Sequence, residues 1–102
     1  MALNQAEQEI LERKTARWVY EQGRGVTAKE VAKRFSLHIH TARLVIHGIM
    51  RRADGIRCEL LGTYEKTQGG ILRPVKYFSV IYLPEEYQPK GSRTERGQNN
   101  DR

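Results

Sequence analysis

Apolar residues recur at helical spacing through the first half of the chain and at every second position through most of the rest. The period changes at Ala53-Asp54-Gly55, a turn signal. The clearest stretch is 26–52. Thr27 followed by Glu30 is a capping box, and Val26 and Val31 flank it at the spacing of a hydrophobic staple, so a helix is predicted to start at Thr27. Val31, Ala32 and Phe35 share one face of that helix, whereas Lys29, Lys33 and Arg34 fall elsewhere. Ser36-Leu37-His38 makes a tight turn. A second helix over 39–52 then directs Ala42, Val45, Ile46 and Ile49 inward, with Met50 beside them, and leaves His40, Arg43, Leu44, His47 and Arg51 outside. A short bracing helix, a tight turn and a longer helix with donors along its outer face form a helix-turn-helix pattern, whose second helix lies in the DNA major groove. Any two amphipathic helices joined by a tight turn share the pattern, so the chemistry of the outer face has to carry the argument.

Before this pair, Asn4 and Glu7 form a second capping box that opens a helix running to about Gln22, with Gly23 as its stop. Leu3, Ile10, Leu11, Trp18 and Val19 are its inward candidates. Trp18 reads as an anchor for all three helices rather than a platform for a base. Arg13, Lys14 and Arg17 have two readings, phosphate contact or a solvated surface. Gly23 and Gly25 supply turn freedom at positive φ. Beyond the Asp-Gly turn, Ile56, Cys58, Leu60 and Tyr64 alternate with Arg57, Glu59 and Thr63 as a half-buried strand. The stretch 66–70, Lys-Thr-Gln-Gly-Gly, makes a hairpin tip. A second strand runs through Val75 to Leu83 with Phe78, Val80 and Tyr82 on one face, and Pro74 is placed at the edge or near the tip because it lacks an amide. The fold expected is α+β, a winged helix-turn-helix of three helices and a β-hairpin wing over 1–87. Residues 88–102 contain nothing aliphatic or aromatic and are expected to form a disordered polar tail.

Charge sharpens this picture. The chain carries 18 Lys and Arg against 12 Asp and Glu, a formal net charge of +6, and ten of the cations lie in 13–52 beside only two acids, Glu21 and Glu30. A polyanionic partner is implied, and the helical half is where it is met. The expected division of labour is that Lys29, Lys33, Arg34, Arg51 and Arg52 contact the DNA backbone while His40, Thr41, Arg43 and His47 sample base edges. Lys66 and Arg73 of the wing are the candidates for phosphate or minor-groove contact. Arg43 is the foremost base reader, because a guanidinium pairs bidentately with guanine O6 and N7. Gly48 in mid-helix points to close approach by a backbone or a partner.

Other classes fare less well. No phosphate-cradling glycine loop is present, and His40 and His47 lie about 10 Å apart along a helix, too far to share one metal ion, so neither an enzyme nor a cofactor is expected. Cys58 is the one cysteine, which excludes an internal disulfide and reads as a small buried apolar residue. No apolar run approaches the length of a membrane span and the N-terminus lacks a leader pattern, so a cytoplasmic, nucleoid-associated protein is expected. The principal rival is a winged-helix module that docks a partner regulator through Leu44, Gly48 and Ile39 in place of DNA. RNA is a weaker third reading, for want of an aromatic sheet platform. A homodimer is compatible with the sequence but not argued by it.

Trp18-Val19 near the end of the first helix, then Glu30-Val31-Ala32, Phe35, Ala42 and Ile49, and Ile56-Arg57-Cys58-Glu59 opening the hairpin, together resemble the CaiF/GrlA transcriptional regulators of enteric bacteria. The likeness spans roughly 10–82. It implies a small winged-helix activator at bacterial promoters. Where many helix-turn-helix proteins cap the recognition helix with Ser or Thr, this chain has His38, and Ile39 follows with two readings, contact with a thymine methyl or packing on the turn.

Overall fold

The computed structural model describes residues 4–87. It contains helices α1 (Gln5–Gln22), α2 (Ala28–Phe35) and α3 (Ile39–Met50), strands β1 (Arg57–Lys66) and β2 (Leu72–Tyr82), and a closing 3-10 turn, Glu85–Tyr87. The layout is α+β, three helices followed by an antiparallel hairpin. The stretch expected to be a disordered tail, 88–102, lies outside the described residues, as does Leu3.

Local chemistry sets the helix ends. The Asn4 side chain accepts from the Glu7 amide at 2.8 Å while the Glu7 carboxylate accepts from the Asn4 amide, and Gly23 closes α1 at φ 67°. Thr27 and Glu30 make the second reciprocal box, and the two staple valines are fully buried. Arg24 adds a contact that sequence spacing did not indicate, donating to Glu30 at 2.8 Å. That bond draws the Glu30 carboxyl below its ordinary value, against the opposing pull of burial and with help from Thr27. At the α2–α3 turn, Ser36 adopts the left-handed conformation and the Leu37 amide returns to the Ala32 carbonyl at 2.8 Å. A side chain at that conformation is uncommon, and the turn holds it because the bond satisfies a terminal helix carbonyl.

The core is built from Ala16, Val19, Val26, Val31, Ala42, Val45, Ile49, Phe78, Val80, Leu83 and Tyr87, all buried. The inward stripes of α2 and α3 match the pattern except at Met50, which is exposed, one 100° step past Ile49 on the last helical residue. α1 departs further. Its buried residues are Glu12, Thr15, Ala16 and Val19, while Ile10 is exposed and Trp18 only half-buried, edge-on to Phe35 at 5.9 Å. The reason is the close approach of α1 to α3. Small side chains fill the contact, and Trp18 covers the rim between α1 and α2 rather than anchoring three helices.

The hairpin pairs Cys58 with Val80 and Leu60 with Phe78, and these rungs pack on the helices. A register shift between Arg57 and Cys58 then sets Tyr82 opposite Arg57. This bulge breaks the period of two, so Tyr82 turns out to solvent, and Leu83 and Tyr87 enter the core in its place. Tyr64 is exposed because it lies on the overhanging part of β1, beyond the helices. Val26 bridges Phe78 with both backbone bonds, at 2.8 and 2.7 Å, and so ties the hairpin to the start of α2. One bridging residue has no period and left no signature in the sequence. Because Phe78 exchanges both bonds with Val26, alternate residues of β2 aim their backbone groups away from β1, Pro74 included, and its missing amide removes no ladder bond. Gly25 does not take positive φ; a Cβ there would lie 2.8 Å from the Tyr77 Cβ, so close passage of the loop over β2 is what requires glycine.

Candidate nucleic-acid interface

The exposed side of α3 carries His40, Arg43, Leu44, His47 and Arg51 at successive helical turns. His38 caps the helix through its ring: Nδ1 accepts from the His40 amide at 3.2 Å, and the two imidazoles stack at 5.0 Å. The ring therefore replaces the hydroxyl usual at this position and orders His40 at the first turn. Ile39 is half-buried and packs against the core, as its packing reading has it, and Thr41 is half-buried. Leu44 is 62% exposed in the middle of the face.

The fold sorts the basic residues into two groups. Arg13 donates to the Glu86 carbonyl at 3.1 Å and pairs with Glu9, Arg17 donates to the Tyr87 carbonyl at 3.1 Å, and Arg24 pairs with Glu30. Arg13 and Arg17 thus clasp the closing turn, a role outside both sequence readings. The side chains of Lys29, Lys33, Arg43 and Arg51 are exposed and in no hydrogen bond or ion pair among the described residues, and Arg34 lies over the Phe35 ring at 5.0 Å. These side chains lie on α2, on α3 and at the residue that caps its end. Lys66 and Arg73 are exposed at the far end of the hairpin.

Arg52 is the correction. It was expected to meet the DNA backbone, yet its side chain is 16% exposed and lies inside the protein. NH1 reaches Glu12 at 2.9 Å, Nε reaches Asp54 at 2.9 Å, and NH2 faces Glu9 at 3.5 Å. The Tyr87 hydroxyl donates to the same Asp54 oxygen at 2.6 Å, and the Arg13 and Arg52 guanidiniums each lie 5.3 Å from the Tyr87 ring centroid. Gly48 belongs to this cluster too. A Cβ there would run into the Glu12 carboxylate, with its carbon at 2.9 Å, and Gln8 holds the same carboxylate at 2.9 Å. The close approach that Gly48 implied is with α1 of its own chain. The cluster joins α1, the end of α3, the Asp-Gly turn and the closing 3-10 turn. It ties the end of α3 and the closing turn to α1.

Burial pushes the Asp54 carboxyl up, but the bonds from Tyr87, Arg52 and the Ile56 amide outweigh it and leave Asp54 below its ordinary value. Tyr87 moves the other way: burial and its bond to Asp54 hold the phenol well above 10, against the opposing Arg52 charge. The linkage signs follow. Asp54 contributes stability that is present above its unfolded value of 3.8 and lost as pH falls through its lower folded value. Tyr87 contributes stability that is present below 10.0 and lost as pH rises beyond it. Replacing Tyr87 with Phe is expected to cost about 2 kcal/mol, since it removes a hydrogen bond to a charged acceptor. Urea unfolding across pH is expected to show both the acid and the alkaline limbs flattened in that variant.

Cys58 packs half-buried against the core, and burial, with Asp54 adding, pushes its thiol up to about 11. Among the described residues, no three His, Cys, Asp or Glu side chains converge on a metal-sized site. No helix among them is long and apolar enough to cross a membrane. Comparison of the chain with protein-family models, with curated proteins and with solved structures finds no match.

Proposed function

We propose that the chain is a winged helix-turn-helix protein that binds double-stranded DNA, with α3 in the major groove and the hairpin as the wing, and that it regulates transcription at bacterial promoters. One observation carries this reading. The cations left without an ion-pair partner on the helical half include Lys29, Lys33, Arg43 and Arg51 of the helix-turn-helix pair, whereas Arg13, Arg17, Arg24 and Arg52 are engaged internally. Unpaired cations there attract phosphate, and a helix of twelve residues with a capped first turn suits the groove. His40, Arg43 and His47 sample base edges, and Thr41 is half-covered at the same end. Lys29, Lys33, Arg34 and Arg51 set position on the backbone. The Val26 bridge ties the wing to the start of α2, and the Arg52 cluster ties the end of α3 to α1 and the closing turn. Activation as the direction of control, and a cytoplasmic site of action at the nucleoid, rest on the resemblance to the CaiF/GrlA regulators.

The test is enrichment of the full chain's ligands from a random duplex pool at near-physiological salt. A recovered motif supports a sequence-reading regulator. Replacement of Lys33 with Ala is expected to weaken binding to all duplexes alike and to lower the slope of log affinity against log salt by about one unit. Leu44 favours a second reading, in which the same face docks a partner regulator, because an exposed leucine at the centre of a basic face is suited to a protein contact. Binding to a partner that is insensitive to salt and lost on Leu44→Asp would establish it.

A further inference from the structure

The hairpin is longer than the core requires. Ten rungs run from Arg57 opposite Tyr82 to Lys66 opposite Leu72, and every β1 residue from Leu61 outward is exposed. The overhang is six residues on that strand, about 20 Å at strand rise. Its end has an unusual composition. Ile71 is 67% exposed and Leu72 60%, and neither meets the core. The tip is nonetheless ordered by its own bonds: the Thr67 amide donates to the Ile71 carbonyl at 2.8 Å, the Ile71 amide donates to the Thr67 hydroxyl at 3.3 Å, and the Gly70 amide donates to the Thr67 carbonyl at 2.9 Å. Gly69 and Gly70 leave the tip slim, with Gly70 at φ 80° closing the turn. Lys66 pairs across the ladder with Leu72, and Arg73 follows it. Beyond Leu61 the hairpin carries Lys66, Arg73 and Lys76 against one acid, Glu65, which accepts the Tyr77 hydroxyl.

We infer that the hairpin tip is a DNA wedge: Ile71, backed by Leu72, enters between adjacent base pairs from the minor groove and bends the duplex. The inference rests on the DNA-binding reading above and adds bending to it. A minor groove about 6 Å wide admits a narrow arm more readily than a broad one, and the glycines provide that narrowness. Apolar side chains inserted at a base step unstack it and kink DNA by roughly 20–90° toward the major groove. That is the groove assigned to α3, so the kink folds the duplex around the helical body. Lys66 and Arg73 contact the phosphates on either side of the opened step. The Thr67 clamp holds Ile71 in place before binding, which removes part of the ordering cost.

Both wedge residues lie outside the core, so Ile71→Ser with Leu72→Ser leaves the fold intact, and unchanged urea unfolding checks this. The probe is a 40-base-pair duplex recovered from the random pool, or a duplex of arbitrary sequence if none is enriched, labelled with a dye at each end. The full chain is expected to raise energy transfer between the dyes, and the double variant, at a concentration that saturates the duplex, is expected to lose most of that rise. Binding by the full chain with no rise in energy transfer overturns the wedge and leaves the DNA reading standing, as does a rise that the double variant retains. Failure to bind any duplex overturns both. The same apolar and cationic tip chemistry also fits an anionic lipid surface. Sedimentation with phosphatidylserine-containing vesicles that depends on Ile71 and Leu72, with no effect of those residues on the duplex, would overturn the wedge.

Discussion

Replacing Arg52 with Ala is expected to lower the free energy of unfolding by about 3 kcal/mol, near the lower end of what breaking one partner of a buried ion pair costs. The position near the lower end follows from the sixth of the side chain that still meets water. The variant strands two carboxylates at once. Glu12, buried beneath Gly48, retains only Gln8, and Asp54 retains only Tyr87 and the Ile56 amide. Arg52→Lys is expected to recover part of the loss, because an ammonium cannot present the separate NH1, NH2 and Nε donors that reach Glu12, Glu9 and Asp54. Urea titration by far-ultraviolet circular dichroism reads both variants. The deficit is expected to shrink toward pH 3, since the native protein loses the Asp54 contribution as that carboxyl protonates and the variant has less of it to lose. A deficit below about 1 kcal/mol, the range of an exposed pair, would show that Arg52 is held at the surface instead.

Arg43→Ala is expected to act on recognition and leave stability within about 0.5 kcal/mol, as for other surface substitutions away from any packed or paired feature. Arg43 is exposed, engages no described residue, and stands one turn into α3 beside Leu44. A guanidinium reading guanine O6 and N7 contributes about 1–3 kcal/mol of discrimination at one base pair, so the recovered motif should blur at that position while the remainder survives. The measurement is parallel selection of the full chain and the variant from one duplex pool, with Lys33→Ala as the comparison that weakens every duplex alike. An unchanged motif with Arg43→Ala would mean that base reading belongs to another surface.

Much of the local architecture was legible because its determinants are three to five residues apart. The Asn4–Glu7 and Thr27–Glu30 boxes, the Val26–Val31 staple, the Gly23 stop and the turn at 66–70 are each complete within one helical turn or one loop. Inward stripes were readable in α2 and α3, where apolar residues dominate one side. In α1, Val19 is buried and Leu11 packs on the core as their spacing indicates, but Glu12, Thr15 and Ala16 complete the buried stripe in place of Ile10, because proximity to Gly48 shapes it and hydrophobicity carries no trace of proximity. Tyr82 was misplaced because one inserted residue in a ladder reverses every later side chain.

The sequence by itself determined the order of three helices and a hairpin, their capped ends, and the concentration of positive charge in 13–52. Which cations stay available was decided only by the tertiary structure. Arg52 and Arg51 are neighbours in sequence and alike in chemistry, yet Arg52 meets a carboxylate 40 residues earlier and Arg51 meets solvent. Arg13 and Arg17 find their carbonyls 73 and 70 residues away. The physical reason is that an ion pair or hydrogen bond depends on distance in space, and folding brings together acids, carbonyls and guanidiniums whose separation along the chain gives no hint of their contact.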